Sequence, residues 1–209
     1  ANEMPTKEKE NENAFLEWQK ENSIILSPRQ AEAVKNLKYR ISIVTGGPGT
    51  GKTTCLRAIM DVYHKVWPSE HILLMAPTGL AAKRMAESTG MNSATIHKAC
   101  GLVPADNPSG FKAQGECRIW FVGIDEMSMV GEHLFAFAVD AVLNSPSTRI
   151  VLLGDTDQLA PVSRGDVLRD LIECGVIKTV RLDVNYRQGS TSTITDASIK
   201  IRENRAYSG

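Results

Sequence analysis

Residues 46–53 read Gly-Gly-Pro-Gly-Thr-Gly-Lys-Thr and match the pattern G-x-x-x-x-G-K-[ST], a glycine-rich loop that cradles nucleotide phosphates. An apolar, β-branched run at 41–45 precedes this loop, and a helix-compatible stretch at 53–60 follows it. The motif needs this strand–loop–helix order, because the helix N-terminus and successive backbone N–H groups must face an anion. The order argues against a chance match in a glycine-rich turn, so we predict that the chain binds a nucleoside triphosphate.

Two side chains of the loop have predicted roles at the phosphates. Lys52 supplies a positive charge for the β- and γ-phosphates, and Thr53 offers a hydroxyl to Mg²⁺. The glycines let the backbone wrap the phosphates with φ values that side chains would forbid. The predicted nucleotide-binding residues of this segment are Gly47, Pro48, Gly49, Thr50, Gly51, Lys52, Thr53 and Thr54.

The composition indicates a globular chain without an overall charge. The 209 residues are 42% hydrophobic and 23% charged, which fits one large domain or two small ones. Twenty-four basic and 24 acidic residues cancel, so any attraction to nucleic acid must come from a local patch. The four cysteines lack metal-type spacing, which favours reduced thiols. We find no apolar run near the ~18 residues of a membrane helix and no signal-peptide pattern, so we expect a cytoplasmic chain.

The chain is predicted to consist of a lead-in at 1–23 and one domain at 24–209. Residues 1–13 are polar and are expected to be solvated or frayed, and 14–20 suit a short amphipathic helix. A further helix is predicted to begin at Ser27-Pro28, an N-cap followed by proline at the first helical position.

Apolar strand-like runs alternate with helical patterns over the rest of the chain. The predicted strands after the phosphate loop are 72–76, 119–124, 149–153 and 179–182, and the predicted helices are 53–66, 79–90, 130–143 and 165–174. This alternation predicts right-handed βαβ units, hence an α/β fold with a mostly parallel sheet and helices on both faces. Ligands bind at the carboxyl ends of such strands. The proline- and glycine-rich segment 101–118 interrupts the pattern and predicts a loop or a small hairpin.

An acidic pair follows the apolar run 121–124. We expect Asp125 to hold Mg²⁺ through its water shell and Glu126 to orient and deprotonate the attacking water. The alternative is an ordinary acidic pair at a strand end.

Two further strand ends carry candidate residues. Gln158 can donate a hydrogen bond to the γ-phosphate or to its nucleophilic water, whereas Asp155 and Asp157 could merely cap the following turn. Arg187 could stabilise charge on the transferred phosphoryl group, or it could be a surface arginine.

Two helix starts suit a nucleic acid. Pro77 and Thr78 lie where a strand ends and a helix carrying Lys83 and Arg84 begins, and such an N-terminus can bind a backbone phosphate. Ordinary helix capping explains Thr78 equally well. Thr95 and His97 present the same ambiguity.

Taken together, these segments resemble the first motor domain of superfamily 1 helicases, specifically the RecD-like group. The resemblance rests on GGPGTGKTT (46–54), APTGLAAKRM (76–85), TIHK (95–98), DEMSMV (125–130), GDTDQLAPV (154–162) and NYRQ (185–188). It covers about residues 24–205 and implies a RecA-like P-loop NTPase domain that binds ATP and Mg²⁺. It also implies that Gln30 reads adenine and that Pro77, Thr78, Thr95 and His97 lie along single-stranded DNA.

The resemblance also implies movement from 5′ to 3′ along DNA, in repair or recombination, with 101–118 as the candidate for a strand-splitting hairpin. Such helicases need a second motor domain, and the sequence ends at Gly209, shortly after the last motif. We therefore expect a first motor domain that binds nucleotide weakly alone and that works with a second motor domain and with repair or recombination partner subunits.

Other classes of nucleotide-binding protein fit less well. A GTPase would need an N/T-K-x-D element after a strand, and GDTDQ (154–158) stands there instead. A small-molecule kinase would use an arginine-rich lid and would not need Glu126 beside Asp125. An ATP-dependent switch or binding module without translocation stays open.

Overall fold

The computed structural model describes residues 7–68, 71–104, 111–113, 121–143 and 148–186. The helices of the described part are α1 (Glu8–Asn22), α2 (Pro28–Lys35), α3 (Lys52–Val66), α4 (Gly79–Thr89), α5 (Ile96–Ala99), α6 (Glu132–Val142) and α7 (Val167–Glu173). Its strands are β1 (Ile41–Gly46), β2 (Ile72–Ala76), β3 (Ser93–Thr95), β4 (Leu102–Pro104), β5 (Phe111–Ala113), β6 (Phe121–Ile124), β7 (Arg149–Gly154) and β8 (Lys178–Leu182). Within these residues no helix has the length and apolarity that crossing a bilayer requires.

Six strands form one parallel sheet in the order β3-β2-β6-β7-β1-β8. Each neighbouring pair is parallel, which confirms the predicted sheet and α/β class. Because β6 and β7 lie between β1 and β2, the carboxyl ends of β1, β6 and β7 adjoin. Ligands bind at such edges, where the strand order changes direction.

Helices cover both faces of the sheet, as predicted. Successive side chains of a strand point to opposite faces. Accordingly, Val44 packs into the core formed with α1, α2, α3 and α4, whereas Ile43 packs into the core formed with α5, α6 and α7. Both side chains are at most 1% exposed. A parallel sheet with both faces covered explains the uninterrupted apolar runs of its strands.

Helix α1 is longer than the predicted short helix and corrects the expectation of a frayed lead-in. It begins at Glu8, so residues 8–13 are helical although their side chains are polar. Its apolar stripe is buried in the core, and the Trp18 Nε1–H donates to Asp61 Oδ2 of α3 at 2.7 Å. Lys65 of α3 also bonds Glu21 at 2.7 Å. Packing against α3 therefore extends a helix that its own sequence supports weakly.

Two short elements were absent from the sequence-based prediction. Strand β3 has three residues and α5 has four, lengths too short for a periodicity to appear. In the segment predicted as a loop or hairpin, β4 and β5 pair antiparallel, with Leu102 opposite Ala113. Residues 105–110 and 114–118 of that segment lie outside the described residues.

Candidate nucleotide and nucleic-acid site

A cleft of about 660 Å³ opens where β1, β6 and β7 end. Its floor is the phosphate loop between β1 and α3, and its walls come from four other segments. Its lining residues are Pro48, Gly49, Gly51, Lys52, Thr53, Thr54, Ala81, Arg84, Met85, Ser88, Asp125, Glu126, Gln158 and Tyr186. The structure thus brings together residues that were predicted separately from three distant motifs.

The phosphate loop folds around its lysine. Gly49 and Gly51 have φ values of +81° and +82°, a left-handed conformation that residues with side chains rarely adopt. Lys52 Nζ donates to the carbonyl oxygens of Gly46 and Gly47, at 2.6 and 3.1 Å. The Thr50 hydroxyl donates to the same Gly47 oxygen at 2.8 Å. Gly47 and Thr50 therefore shape the loop.

Gln30 contacts the phosphate loop from α2. Its Oε1 accepts the Ser27 N–H at 3.0 Å while the Ser27 hydroxyl accepts the Gln30 N–H, so the two residues form a capping box. Its Nε2 donates to the Thr50 carbonyl at 3.4 Å. A Cβ placed on Gly51 would lie 2.5 Å from Nε2, which shows how closely the carboxamide approaches the loop. The sequence indicated Ser27 and Pro28 at this helix start but not the role of Gln30 in it.

Tyr186 is a site residue that the sequence analysis missed. Its N–H donates to the Gly49 carbonyl at 2.9 Å, which ties the segment after β8 to the phosphate loop. Its ring is 56% exposed and lines the cleft on the side of Gly51 and Gln30. Tyr186 belongs to NYRQ (185–188), the motif from which only Arg187 was predicted as a site residue. Arg187 itself lies outside the described residues.

The acidic pair follows β6 in an unusual conformation. Asp125 Oδ1 accepts the Glu126 N–H at 2.8 Å. Burial raises the pKa of Asp125, and the charge of Glu126 raises it further, although the Glu126 N–H bond and Lys52 oppose these effects. Glu126 has a φ of +54°. That left-handed backbone costs a residue with a side chain about 1–2 kcal/mol and marks a constrained position at the cleft.

The residues predicted to hold Mg²⁺ fit that ion. Thr53 and Asp125 both line the cleft, with one hydroxyl and one carboxylate. In the described part of the chain, no group of three or more His, Cys, Asp or Glu side chains could hold a metal unaided. This donor set suits Mg²⁺, which proteins usually bind through one or two side chains together with phosphate oxygens and water.

Gln158 lies beside the acidic pair and is held by a serine. The Ser128 hydroxyl donates to Gln158 Oε1 at 3.0 Å. Asp155 Oδ1 accepts the Asp157 N–H at 3.0 Å, so Asp155 caps the turn, which was the alternative considered from the sequence. Asp157 pairs with Arg181 at 3.4 Å.

The residues predicted to bind nucleic acid lie at or just after the ends of β2 and β3, at the same carboxyl edge of the sheet as the cleft. The Thr78 hydroxyl accepts the Ala81 N–H and caps α4, and the Thr95 hydroxyl accepts the Lys98 N–H and caps α5. Ala76 pairs with Thr95 across β2 and β3, so both helices begin at the carboxyl edge. The four candidates Pro77, Thr78, Thr95 and His97 are half-buried and so retain exposed surface.

Helix α4 also forms a wall of the nucleotide cleft. Ala81, Arg84, Met85 and Ser88 line the cleft, at the spacing of one helix face. Lys83 instead lies 3.9 Å from Glu87, and neither of them lines the cleft. The sequence placed both basic residues on a helix suited to DNA, and the structure brings Arg84 to the nucleotide side.

The fold and the cleft define a P-loop nucleotide-binding domain. The family model for the AAA domain matches residues 25–209. The chain is 36% identical over 176 residues to the ATP-dependent RecD2 DNA helicase of Deinococcus radiodurans. It is 35% identical over 187 residues to the RecBCD enzyme subunit RecD of Mycolicibacterium smegmatis. The crystal structure of the Pif1 helicase from Candida albicans overlays with a TM-score of 0.63 and 26% identity, covering 86% of this chain and 44% of that one.

The chain therefore belongs to the AAA-domain family, and within it to the RecD-like superfamily 1 helicase motor domains. The two relatives match over 83% and 78% of this chain, but these matches span only 23% and 33% of their own lengths. The chain thus corresponds to about a quarter to a third of the curated relatives.

Proposed function

We propose that the chain is the first motor domain of an ATP-dependent DNA helicase that moves 5′ to 3′ on single-stranded DNA, within the cytoplasm. One observation carries the proposal: Lys52, Asp125, Glu126 and Gln158 converge on one cleft, and two capped helix starts lie at the adjoining strand ends. The proposal includes a role in DNA repair or recombination, and the name of one relative, a RecBCD enzyme subunit, supports work alongside partner subunits.

The cleft residues divide the work of ATP hydrolysis. Lys52 neutralises charge on the β- and γ-phosphates, and Thr53 and Asp125 hold Mg²⁺. Mg²⁺ held there would supply positive charge that offsets the charge of the phosphates. The oxygen of the water attacks the γ-phosphorus while Glu126 accepts a proton from that water. The bond between the γ-phosphorus and the oxygen that links it to the β-phosphate breaks. The products are ADP and inorganic phosphate.

In this proposal, Gln30 and Tyr186 contact the adenine base of the nucleotide. Among the described residues, Gln30 Oε1 and Nε2 each make one hydrogen bond, which leaves each of them one further hydrogen-bonding position toward the nucleotide. The Tyr186 ring offers a flat apolar face on the same side of the cleft. We assign adenine recognition to these two side chains.

The other predicted residues couple nucleotide binding to DNA binding in this proposal. Gln158 and Arg187 respond to the γ-phosphate, Arg84 contacts nucleotide phosphate oxygens from α4, and Pro77, Thr78, Thr95 and His97 contact the single strand. The β4–β5 ribbon is our candidate for the strand-splitting hairpin. Because the net charge is zero, DNA binding depends on a local surface and weakens steeply with salt.

A complete motor needs a second such domain. We propose that the motor also works with repair or recombination partner subunits. ATP then binds between two motor domains, whose closing and opening drives stepping. The 209-residue chain alone binds ATP weakly, hydrolyses it slowly and does not translocate.

The test is ATP binding and turnover by this chain, with and without single-stranded oligo-dT and with Lys52→Ala as control. We expect weak binding that Lys52→Ala abolishes, and slow turnover that oligo-dT does not stimulate. Equal binding by wild type and Lys52→Ala contradicts the nucleotide site. Strong, Lys52-dependent stimulation contradicts the need for a second motor domain. A change in nucleotide affinity with DNA while the longer protein shows no translocation favours the ATP-dependent switch.

A further inference from the structure

A buried hydroxyl joins the strand ends that carry Glu126 and Gln158. Ser128 belongs to a short 3₁₀ helix, Met127–Met129, which directly follows the acidic pair. Its side chain is 4% exposed, and its Oγ–H donates to Gln158 Oε1 at 3.0 Å across the β6–β7 boundary. Gln158 itself is exposed and lines the cleft.

This hydrogen bond determines which end of the Gln158 carboxamide faces the cleft. A carboxamide has one acceptor oxygen and one nitrogen with two N–H donors. Since Ser128 occupies the oxygen, the nitrogen is left to bond groups in the cleft. A γ-phosphate oxygen and a nucleophilic water both offer lone pairs. The nitrogen of Gln158 can donate a hydrogen bond to either of them, whereas its oxygen would repel their lone pairs.

We propose that Ser128 is a positioning residue that holds the N–H donors of Gln158 toward the γ-phosphate and its attacking water. The proposal rests on the proposed function and adds a residue to it. Ser128 lies two residues after Glu126, so the same short turn fixes the predicted base and orients the predicted phosphate contact.

The turn around Ser128 has little room to move. A Cβ on Gly154 would lie 3.3 Å from the Ser128 nitrogen and 2.6 Å from Leu168 Cδ2. Met127 is fully buried in the same core. Ser128→Ala therefore removes the hydroxyl while the backbone stays in place.

The experiment compares binding of ADP with binding of the β,γ-imido analogue of ATP, by titration of the 209-residue chain in Mg²⁺. The ratio of the two dissociation constants isolates contacts to the γ-phosphate. Loss of one net hydrogen bond of about 0.5–1.5 kcal/mol lowers the preference for the ATP analogue about 2- to 12-fold. We expect this from Ser128→Ala and also from Gln158→Ala, with ADP affinity unchanged.

The double variant tests whether Ser128 acts through Gln158. Ser128→Ala combined with Gln158→Ala should equal Gln158→Ala alone, because coupled residues do not add. Ser42→Ala is the matched control, since Ser42 is as buried as Ser128 but lies in β1. It should leave the ratio unchanged.

Three results overturn the proposal: a wild-type ratio for Ser128→Ala while Gln158→Ala lowers it, additive losses in the double variant, or an equal loss in Ser42→Ala. Ser128→Cys keeps the size and a weaker donor, and it should give an intermediate ratio. If Ser128→Ala does not fold, a wild-type ratio for Ser128→Cys overturns the proposal instead. A failure of the proposed function gives a different result from a failure of this proposal. In that case Lys52→Ala would bind ADP and the ATP analogue with the same affinities as wild type.

Discussion

Comparing Gln30→Glu with Ser27→Ala separates the structural role of the Gln30 side chain from its predicted role in reading adenine. In the structure Oε1 completes a capping box with Ser27, and Nε2 approaches the carbonyl of Thr50. Glutamate serves the same position in capping boxes, so its carboxylate can still accept the Ser27 N–H. It cannot supply the N–H donor that a purine N7 acceptor requires.

Gln30→Ala and Gln30→Glu are both expected to lower stability, for different reasons. Gln30→Ala leaves the partly buried Ser27 N–H without its partner, which costs about 1 kcal/mol. For a domain of this size that lowers the Tm by about 2–4 °C. Gln30→Glu keeps the bond to Ser27 but loses the Nε2 donor to the Thr50 carbonyl and places a carboxylate at a position that is 5% exposed, so its Tm should also fall.

The expected change in nucleotide binding comes from the N–H donor that Gln30→Glu removes. Losing one donor to adenine costs about 0.5–1.5 kcal/mol, which weakens ATP binding about 2- to 12-fold. Adenine and guanine both carry N7, so the comparison has to remove that atom, and the preference for ATP over 7-deaza-ATP should fall in Gln30→Glu. Ser27→Ala should lower the Tm while leaving that preference unchanged.

The assay pairs thermal unfolding with competition of ATP and 7-deaza-ATP against a fluorescent nucleotide. An unchanged preference in Gln30→Glu, together with a lower Tm in Gln30→Ala, would mean that Gln30 only caps α2. The assignment of adenine recognition would then have to move to Tyr186 alone.

Three further predictions concern the rest of the cleft. Glu126→Gln should bind the ATP analogue like wild type while abolishing turnover in a steady-state phosphate-release assay, and normal hydrolysis by it would refute Glu126 as the base. Burial raises the pKa of Asp125 above its ordinary 3.8, so the ionised carboxylate opposes folding. The contribution of this carboxyl group to stability therefore falls as the pH rises through its folded-state pKa. Asp125→Asn should therefore gain stability relative to wild type as the pH rises from about 4 to 7, measured by urea unfolding without Mg²⁺, and should bind Mg²⁺–ATP more weakly; a constant stability difference would refute the desolvation argument. Arg84→Gln should weaken ATP-analogue binding several-fold in a fluorescence titration, whereas Lys83→Gln, its neighbour outside the cleft, should not; equal effects would refute the placement of Arg84 at the phosphates.

Local chemistry explains what could be predicted from the sequence. The strand, the loop glycines and Lys52 are consecutive, so their relation needs no tertiary structure. The alternation of apolar runs with helical patterns predicted the parallel sheet, and the sheet brought Asp125 and Gln158 to the cleft as expected.

Packing explains what could not be predicted. The polar start of α1 carries no apolar periodicity, and its helix is extended by contacts with α3. Arg84 and Lys83 are adjacent in sequence and chemically alike, and only the rotation of α4 decides which of them enters the cleft. The bond between Ser128 and Gln158 joins residues 30 positions apart, and no local pattern announces it.

The strand order offers a physical route for the proposed coupling of nucleotide to DNA. Strands β1, β6 and β7 carry the nucleotide residues, and β2 and β3 carry the predicted DNA residues, so the two groups meet where β2 pairs with β6. Helix α4 belongs to both groups, because Thr78 caps its start and Arg84 lines the cleft one to two turns later. A rigid helix moves as a unit, so any displacement that the γ-phosphate imposes on Arg84 also moves Thr78. The proposed coupling of ATP to the single strand therefore requires no contact between them, only a shift of α4 against the sheet.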